Sequence, residues 1–316
     1  MIVLLRLKLA SWLLGFMLVS IPVSSAAQPD EWLNQRFAKA KSEGCFGKIN
    51  VFQRVFCNQR FRVGVRVNYP GFGMRTDDGF SGYDVAVAFA LGRRLGFDVR
   101  IFEVNPATRI PRVNSGFVDV IIATMAHTKT REREVNIIRP AYYSAPAVVY
   151  GLKTVRINND NDISGMQICT TIGHFSNLRL AQSRARVILY DSTSKITNAL
   201  LSGLCPAAMQ DLTFFEWVSR TPDFRARFEE KFRWDTTPWG IGVEQKQGEE
   251  WGKVLSHVLA KLHASGELAI IAEQNGISRA YLDQQTVIWK SANCWKEDGS
   301  AAPECMDEPF DDEVIN

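Results

Sequence analysis

The sequence predicts an α/β fold of two lobes, each built on a mainly parallel sheet flanked by helices, joined by a two-segment hinge. Short apolar strands alternate with amphipathic helices in both halves of the chain, which is the pattern of βαβ units. The chain then returns through residues 236–243, which Pro238 and Gly240 interrupt. Residues 249–265 form a helix with one apolar face that is expected to pack back on the first lobe. Two crossings leave a cleft between the lobes as the expected ligand site.

Each half carries three predicted strands. Residues 61–67 alternate apolar and polar side chains with a period of two. The other strands are short apolar runs at 98–104, 119–123, 168–171, 186–190 and 206–210, with helices at about 81–96, 176–185 and 192–202. The chain therefore divides as follows: signal peptide 1–27, N-terminal arm 28–60, lobe 1 at 61–150 and 240–284, lobe 2 at 151–239, and an acidic tail at 285–316.

Residues 1–27 have the layout of a cleaved secretory signal. Arg6 and Lys8 precede an apolar stretch, and small residues end at Ala27. A retained membrane anchor is the alternative, but the apolar run is short and Gly15 interrupts it. The mature chain is therefore expected to be soluble and exported to the periplasm.

Six cysteines follow the signal, and an even count in an oxidising compartment indicates disulfides. Their spacing suggests the local pairs Cys45–Cys57, Cys169–Cys205 and Cys294–Cys305, although other connectivities stay open. Metal ligation is the rival interpretation, but neither a CxxC spacing nor a His pair supports it, so neither metal nor cofactor is expected. The formal net charge of +3 falls to about +1 without the signal, and no basic run predicts a nucleic-acid partner.

Three arginines stand at equivalent places in the first half. Arg66 ends the first strand, Arg109 begins the helix after the second, and Arg131 lies in the first turn of the helix after the third. Thr124 follows the third strand directly, and Thr128 is placed as the N-cap of its helix. Because ligands bind beyond the carboxyl ends of parallel strands, these side chains are expected around one crevice, where a guanidinium can grip a carboxylate.

The chain resembles the family 3 bacterial periplasmic solute-binding proteins, the polar amino acid binders of ABC importers. In the first half the resemblance is carried by RVGVRVNYPGF, GYDVAVAFALGRRLG, RIPRVNSGFVDVIIATM, TKTRERE and PAYYS. In the second half GMQICTTIG, LYDSTSKITNALLSGLCPAAMQD and TTPWGIGV continue it, over about 210 residues in family order. The resemblance implies a type II periplasmic-binding fold that closes around its ligand.

The resemblance also implies roles for several residues. Arg131 would clamp the ligand α-carboxylate, and Asp211 would take the α-ammonium, although Asp211 by itself also fits the N-cap of the following helix. Tyr69 matches a ring that packs on the ligand, or else it wedges its loop into the core. Arg66 and Arg109 match positions at which glutamate and aspartate binders carry arginines for the distal carboxylate, so an acidic amino acid or related dicarboxylate is expected.

Two departures from the family pattern fall within the site. Ala126 stands where many members have a hydroxyl for the carboxylate, and Gly173-His174-Phe175 stands where many have Gly-Thr-Thr. His174 either donates to a ligand carboxylate or is a solvated loop residue. These changes leave open whether the ligand is a standard α-amino acid.

The leading prediction is a monomeric, non-enzymatic receptor that captures a small anionic solute and delivers it to an ABC permease. The expected solute is an acidic or polar amino acid or a dicarboxylate. One alternative is a periplasmic dehydratase of the cyclohexadienyl or arogenate type, with His174, His127 or Asp211 as acid or base. A third is a ligand-dependent partner of a membrane sensor. Only the acidic tail, which carries Cys294 and Cys305, supports this third hypothesis, and that tail equally fits a solvated, stapled extension.

Overall fold

The computed structural model describes residues 30–47 and 49–312, so the predicted signal peptide lies outside the described residues. The helices are α1 (Glu31–Glu43), α2 (Val51–Asn58), α3 (Tyr83–Leu95), α4 (Arg109–Asn114), α5 (Lys129–Glu132), α6 (Asn177–Gln182), α7 (Thr193–Leu201), α8 (Leu212–Val218), α9 (Pro222–Arg227), α10 (Glu249–Ser265), α11 (Glu267–Gln274) and α12 (Ala280–Lys290). The strands are β1 (Arg60–Arg66), β2 (Met74–Thr76), β3 (Gly79–Ser81), β4 (Asp98–Val104), β5 (Val120–Ile121), β6 (Asn136–Leu152), β7 (Gln167–Thr171), β8 (Arg186–Tyr190), β9 (Ala207–Asp211) and β10 (Phe228–Val243).

Eight strands are hydrogen-bonded in the order β4-β1-β5-β10-β6-β9-β7-β8. Strands β4, β1 and β5 are parallel at one end, and β9, β7 and β8 are parallel at the other. The two ends are joined by β6 and β10, which are 17 and 16 residues long and pair antiparallel. Register shifts interrupt this pairing, as expected where two long strands bend between lobes. The predicted α/β fold of two lobes of mainly parallel sheet with flanking helices is confirmed; the exact limits of each lobe stay a prediction.

An aromatic cluster supports the loop after β1. Phe72 packs its ring against Tyr83, Tyr143 and Trp239, at centroid distances of 5.7, 5.1 and 5.0 Å. The loop passes very close to the end of β1, since a Cβ on Gly73 would lie 1.9 Å from the Arg66 carbonyl oxygen. Glycine is required there, and the buried rings fix the position of Arg66.

The described residues contain the three disulfides suggested by the spacing: Cys45–Cys57, Cys169–Cys205 and Cys294–Cys305. Most predicted elements are also present. The hairpin β2–β3 was missed, because strands of three residues are too short to show a period. The third strand is shorter than predicted, since only Val120 and Ile121 pair as β5.

The N-terminal arm and the tail both belong to the folded body. Trp32 of α1 and Phe52 of α2 lie in the main hydrophobic core. The predicted start of the tail at residue 285 falls within α12, which continues to Lys290. Its described part is not a solvated extension: the Asp307 carboxylate accepts the Ala141 amide hydrogen at 2.8 Å, and Phe310 forms a bridge with Thr128. We call residues 307–312 the C-terminal strap.

No single helix among the described residues is long and apolar enough to cross a membrane. By length and composition, the pair α10 and α11 passes together, with a bend of 76° between the two helices.

Candidate functional site

The cleft between the lobes holds a small cavity with a volume of about 10 Å³, which is room for about one water molecule. It is lined by Arg66, Pro106, Arg109, Thr124, Ala126, Arg131, Thr171, Gly173, His174, Phe175 and Asp211. Six of the seven predicted ligand-binding residues therefore line one cavity, and Tyr69 does not.

Arg66 reaches the cavity from the end of β1. Its Nη1 donates to the Thr124 hydroxyl oxygen at 3.2 Å, and its guanidinium lies 4.4 Å from the centre of the Tyr69 ring. Thr124 has a φ of 45°, a left-handed conformation that a β-branched residue adopts only under strain. Burial lowers the pKa of Arg66. The strained turn brings the threonine hydroxyl to the arginine and directs both toward the cavity.

Arg109 is anchored on the backbone at the end of β5. Its Nη1 donates to the carbonyl oxygens of Ala123 and Thr124 at 2.6 and 3.2 Å. Its Nε is buried and has no hydrogen-bond partner among the described residues. Burial holds the pKa of Arg109 well below its usual range, and the positive charges of Arg131 and Arg66 lower it further. This arginine has a charge and an N–H donor for an anion in the cavity.

Arg131 spans the two lobes. Its Nη1 donates to the Ala126 carbonyl at 2.9 Å and its Nη2 to the Gly173 carbonyl at 2.8 Å. Thr128 caps the helix, as predicted, by accepting the Arg131 amide hydrogen at 3.3 Å. Burial lowers the pKa of Arg131 to about 10, which leaves it charged at neutral pH. The guanidinium therefore closes one side of the cavity and links the lobes.

Asp211 faces the arginines from the end of β9. Its Oδ2 accepts the Tyr69 hydroxyl hydrogen at 3.1 Å, and that hydroxyl also lies 3.2 Å from the Thr213 Oγ1. Its side chain makes no capping hydrogen bond to α8, so its side chain serves the cleft and not the helix end. Tyr69 is fully buried and contacts the cavity through two of its lining residues, Arg66 and Asp211.

His174 lies beside Asp211. Its Nδ1 accepts the Ser176 amide hydrogen at 3.3 Å and lies 2.6 Å from the Ser176 Oγ. Because an amide N–H can only donate, the neutral ring carries its proton on Nε2, which lies 3.5 Å from the Asp211 Oδ1. Burial lowers the pKa of His174, although the Asp211 charge opposes this. The ring is thus a neutral donor directed at the cavity. It is buried, so it is not the solvated loop residue that the sequence left as an alternative.

His127, the other histidine predicted as an acid or base, lies outside the cavity lining. Its ring is fully buried, and its Nε2 lies 2.7 Å from the Glu132 Oε1.

Sequence reasoning missed Tyr142 and Asp84, which hold the turn at Thr124 in place behind the arginines. The Tyr142 hydroxyl accepts the Thr124 amide hydrogen at 2.9 Å and donates to the Asp84 Oδ1 at 3.0 Å. Asp84 is fully buried, and this burial raises its pKa well above the usual range. An acidic residue within the apolar face of α3 was the available signal, since a buried carboxyl needs a partner. The pair fixes the strained turn at Thr124.

The lobes are closed on each other. Besides the contacts of Arg131 and Tyr69, the Thr193 hydroxyl donates to the Asn68 carbonyl at 2.6 Å, and Arg220 donates to the Gly276 carbonyl at 2.6 Å. Across residues 30–47 and 49–312, no cluster of three or more His, Cys, Asp or Glu side chains is arranged to hold a metal ion.

A two-lobed α/β chain with a charged cavity between its lobes has the architecture of a solute-binding protein. Residues 61–276 match the family described as bacterial extracellular solute-binding proteins, family 3, and the chain belongs to this family. Its relatives include glutamine-binding proteins, one of which is described as belonging to an ABC transporter.

Two similar solved structures and one similar sequence illustrate the relationship. The glutamine-binding protein of Geobacillus stearothermophilus is 26% identical over 249 residues, which cover 76% of this chain and 93% of that protein. The cysteine-binding protein of Campylobacter jejuni has a TM-score of 0.66 at 22% identity, covering 72% of this chain and 93% of the other. The ancestral amino acid-binding protein AncCDT-1, a precursor of cyclohexadienyl dehydratase, has a TM-score of 0.63 at 18% identity, covering 70% and 97%. At these identities the solved structures show the fold alone.

Proposed function

We propose that this protein is a monomeric periplasmic receptor that captures a small anionic solute, an acidic amino acid or a related dicarboxylate, and delivers it to an ABC importer. The charge of the cavity carries the proposal. Three guanidiniums converge on the cavity, and Asp211 is the one carboxylate among its described lining residues. Buried positive charge without a counter-charge is costly, so an anion that enters this cavity is strongly favoured over a neutral or cationic solute.

The contacts around each arginine support separate roles. Arg131 presents its two Nη groups at the junction of the lobes, and we assign it to a ligand carboxylate. Arg66 and Arg109 lie together on the Thr124 side, and we assign them to a second carboxylate. His174 adds a neutral N–H donor from lobe 2. Since donors come from both lobes, binding an anion stabilises the closed state.

A thermal-shift screen against amino acids and small dicarboxylates, followed by calorimetry of the hits, tests this function. Glutamate, aspartate or a dicarboxylate is expected to raise the melting temperature, because a ligand stabilises only the state that binds it. Arg66→Met and Arg109→Met should each remove most of that shift. Arg112→Gln is the control, since Arg112 lies on the same helix as Arg109 but donates to the Glu103 carbonyl and does not line the cavity. Tight binding of a neutral or cationic amino acid, without binding of any acidic solute, would contradict the proposal.

A second candidate function is a dehydratase, because His174 and Asp211 form a buried pair at 3.5 Å that could move a proton in the closed cleft. Turnover of prephenate or arogenate is the assay. Product formation that is lost in His174→Gln supports the enzyme, whereas stoichiometric binding without product excludes it.

A further inference from the structure

The C-terminal strap pairs with the segment that leads to Arg131. The Phe310 amide donates to the His127 carbonyl at 2.8 Å, and the Phe310 carbonyl accepts the Lys129 amide hydrogen at 3.1 Å. These two main-chain bonds make Phe310 a parallel bridge partner of Thr128. The strap therefore acts as one more strand beside the turn that follows β5.

The same segment is bonded on its other edge to β10. The His127 amide donates to the Pro238 carbonyl at 2.7 Å, and the Gly240 amide donates to the Met125 carbonyl at 2.9 Å. The segment therefore lies between β10 and the strap. Because His127 is fully buried, its carbonyl would lose its partner without the strap, and an unpaired buried carbonyl costs free energy.

Asp312 joins the strap to the short helix that bears Arg131. Its Oδ1 accepts the Thr130 amide hydrogen at 3.0 Å, one residue before Arg131. Asp312 and Arg131 also line the same groove between the lobes. Burial lowers the pKa of Arg131 to about 10, and the Asp312 charge opposes that shift. The strap thus holds the backbone beside Arg131 and faces its charge.

The strap also reaches lobe 2. The Phe310 ring lies 5.8 Å from the Phe175 ring, centre to centre and edge to face. Phe175 lines the cavity, and its ring lies 5.0 Å from the His174 ring. Phe310 therefore contacts the segment before Arg131 through its backbone and the lobe 2 wall of the cavity through its ring.

The strap is itself held in place on lobe 1. The Asp307 carboxylate accepts the Ala141 amide hydrogen at 2.8 Å and the Tyr281 hydroxyl hydrogen at 3.3 Å. The Cys294–Cys305 disulfide closes the loop just before it. The strap lies beyond residues 61–276, so the family match implies no role for it.

Resting on the proposed function, we propose that Phe310 and Asp312 of the C-terminal strap position the Arg131 guanidinium for the ligand carboxylate. They are positioning residues, because they act through the backbone before Arg131 and do not line the inner cavity. A segment bonded on both edges holds the guanidinium in one place before the ligand arrives. Such preorganisation lowers the ordering cost of binding and so tightens it.

Two substitutions of Phe310 separate its amide from its ring. Phe310→Pro removes both the ring and the N–H that His127 accepts, whereas Phe310→Ala removes only the ring. Calorimetry with glutamate and succinate on the full mature chain should show Phe310→Pro binding about two- to tenfold more weakly than Phe310→Ala, because one further hydrogen bond is lost. Glu308→Pro is the control, since the Glu308 amide donates no hydrogen bond within residues 30–47 and 49–312.

A merely structural strap gives a different result. In that case Phe310→Pro lowers the melting temperature but binds glutamate and succinate as tightly as Phe310→Ala, and this outcome overturns the proposal.

Asp312 gives a second comparison if Phe310→Pro does not fold. Asp312→Asn and Asp312→Ala both remove the charge, but the asparagine amide oxygen can still accept the Thr130 amide hydrogen. Asp312→Asn should therefore bind either solute about two- to tenfold tighter than Asp312→Ala. Equal affinities of these two variants overturn the role assigned to Asp312.

Hydrogen exchange without added solute distinguishes this proposal from the proposed function. The amides of Lys129 and Thr130 should exchange faster in Phe310→Pro than in Phe310→Ala, and Glu308→Pro should exchange like wild type. Unchanged exchange in Phe310→Pro overturns the positioning role whichever solute binds. A wild-type protein that binds no acidic solute contradicts the proposed function, and the exchange rates then decide whether the strap holds the segment before Arg131.

Discussion

The protein is expected to lose much of its affinity for the ligand when Arg131 is replaced by lysine. In the closed state its two Nη groups donate to one carbonyl in each lobe, at 2.9 and 2.8 Å. Lysine keeps the charge, but its single ammonium cannot donate the two parallel hydrogen bonds by which a guanidinium binds both oxygens of a carboxylate. A hydrogen bond to a charged group contributes about 1.5–3 kcal/mol, so the loss of one predicts about 10- to 150-fold weaker binding.

Replacing the same residue by glutamine removes the charge as well. Truncating one partner of a buried charge pair costs about 2–5 kcal/mol, so Arg131→Gln should weaken binding by about 30- to 5,000-fold. Calorimetric titration of each variant, with the tightest anion found in the thermal-shift screen, measures both values. Arg133→Lys is the matched control, because Arg133 is exposed two residues further along the chain. Affinity of a folded Arg131→Lys variant within about twofold of wild type would refute the assigned role.

Three further predictions concern stability and closure. Burial lowers the pKa of His263 from 6.5 to about 4. Between these pH values the unfolded chain is protonated at His263 and the folded chain is not, so the free energy of unfolding should fall by about 3 kcal/mol as the pH drops from above 6.5 to below 4. The Cys169–Cys205 disulfide closes a loop with a separation of 36 residues, and replacing both cysteines by alanine should lower the free energy of unfolding by about 4 kcal/mol. Phe310→Ala removes a ring contact of the strap with Phe175 of lobe 2, at 5.8 Å, and should speed ligand dissociation about two- to tenfold.

Each of these predictions has a control within the chain. His263→Gln keeps a donor for the Ala141 carbonyl and cannot titrate, so denaturant melts of this variant at pH 7 and pH 4 should lack the extra loss. The Cys294–Cys305 disulfide closes a shorter loop, with a separation of 11, so its removal should cost about 3 kcal/mol, and the reverse order contradicts the loop argument. Glu308→Ala changes the strap only at an exposed contact with Arg139 and should leave the stopped-flow dissociation rate unchanged.

Much of the site could be predicted from the sequence because it depends on strand ends. Periodicity places Arg66 at the end of β1 and Arg109 and Arg131 after the next two strands, and parallel topology brings the three together. Thr128 was predictable as an N-cap because capping is local in sequence. Strand ends and helix caps depend on a few neighbouring residues, so they could be predicted without the structure.

The remaining features depend on contacts between distant parts of the chain. Nothing in the sequence indicates that Thr124 adopts a left-handed backbone, because tertiary contacts with Arg109 and Tyr142 impose it against its own preference. Tyr69 packs against Arg66 and does not line the cavity, whereas the sequence left open whether its ring contacts the ligand or wedges its loop into the core. In the strap, the Phe310 amide donates to the His127 carbonyl. These two residues are more than half the chain apart, and no periodic pattern encodes such a contact.

A crystal structure of the protein grown with the tightest-binding solute tests the central claim most directly. We predict a small anion enclosed between closed lobes, with one carboxylate accepting hydrogen bonds from Arg131 and a second from Arg66 or Arg109. A neutral or cationic solute in the cleft, or an anion bound elsewhere while Arg109 and Arg131 stay paired only with backbone carbonyls, would contradict the claim.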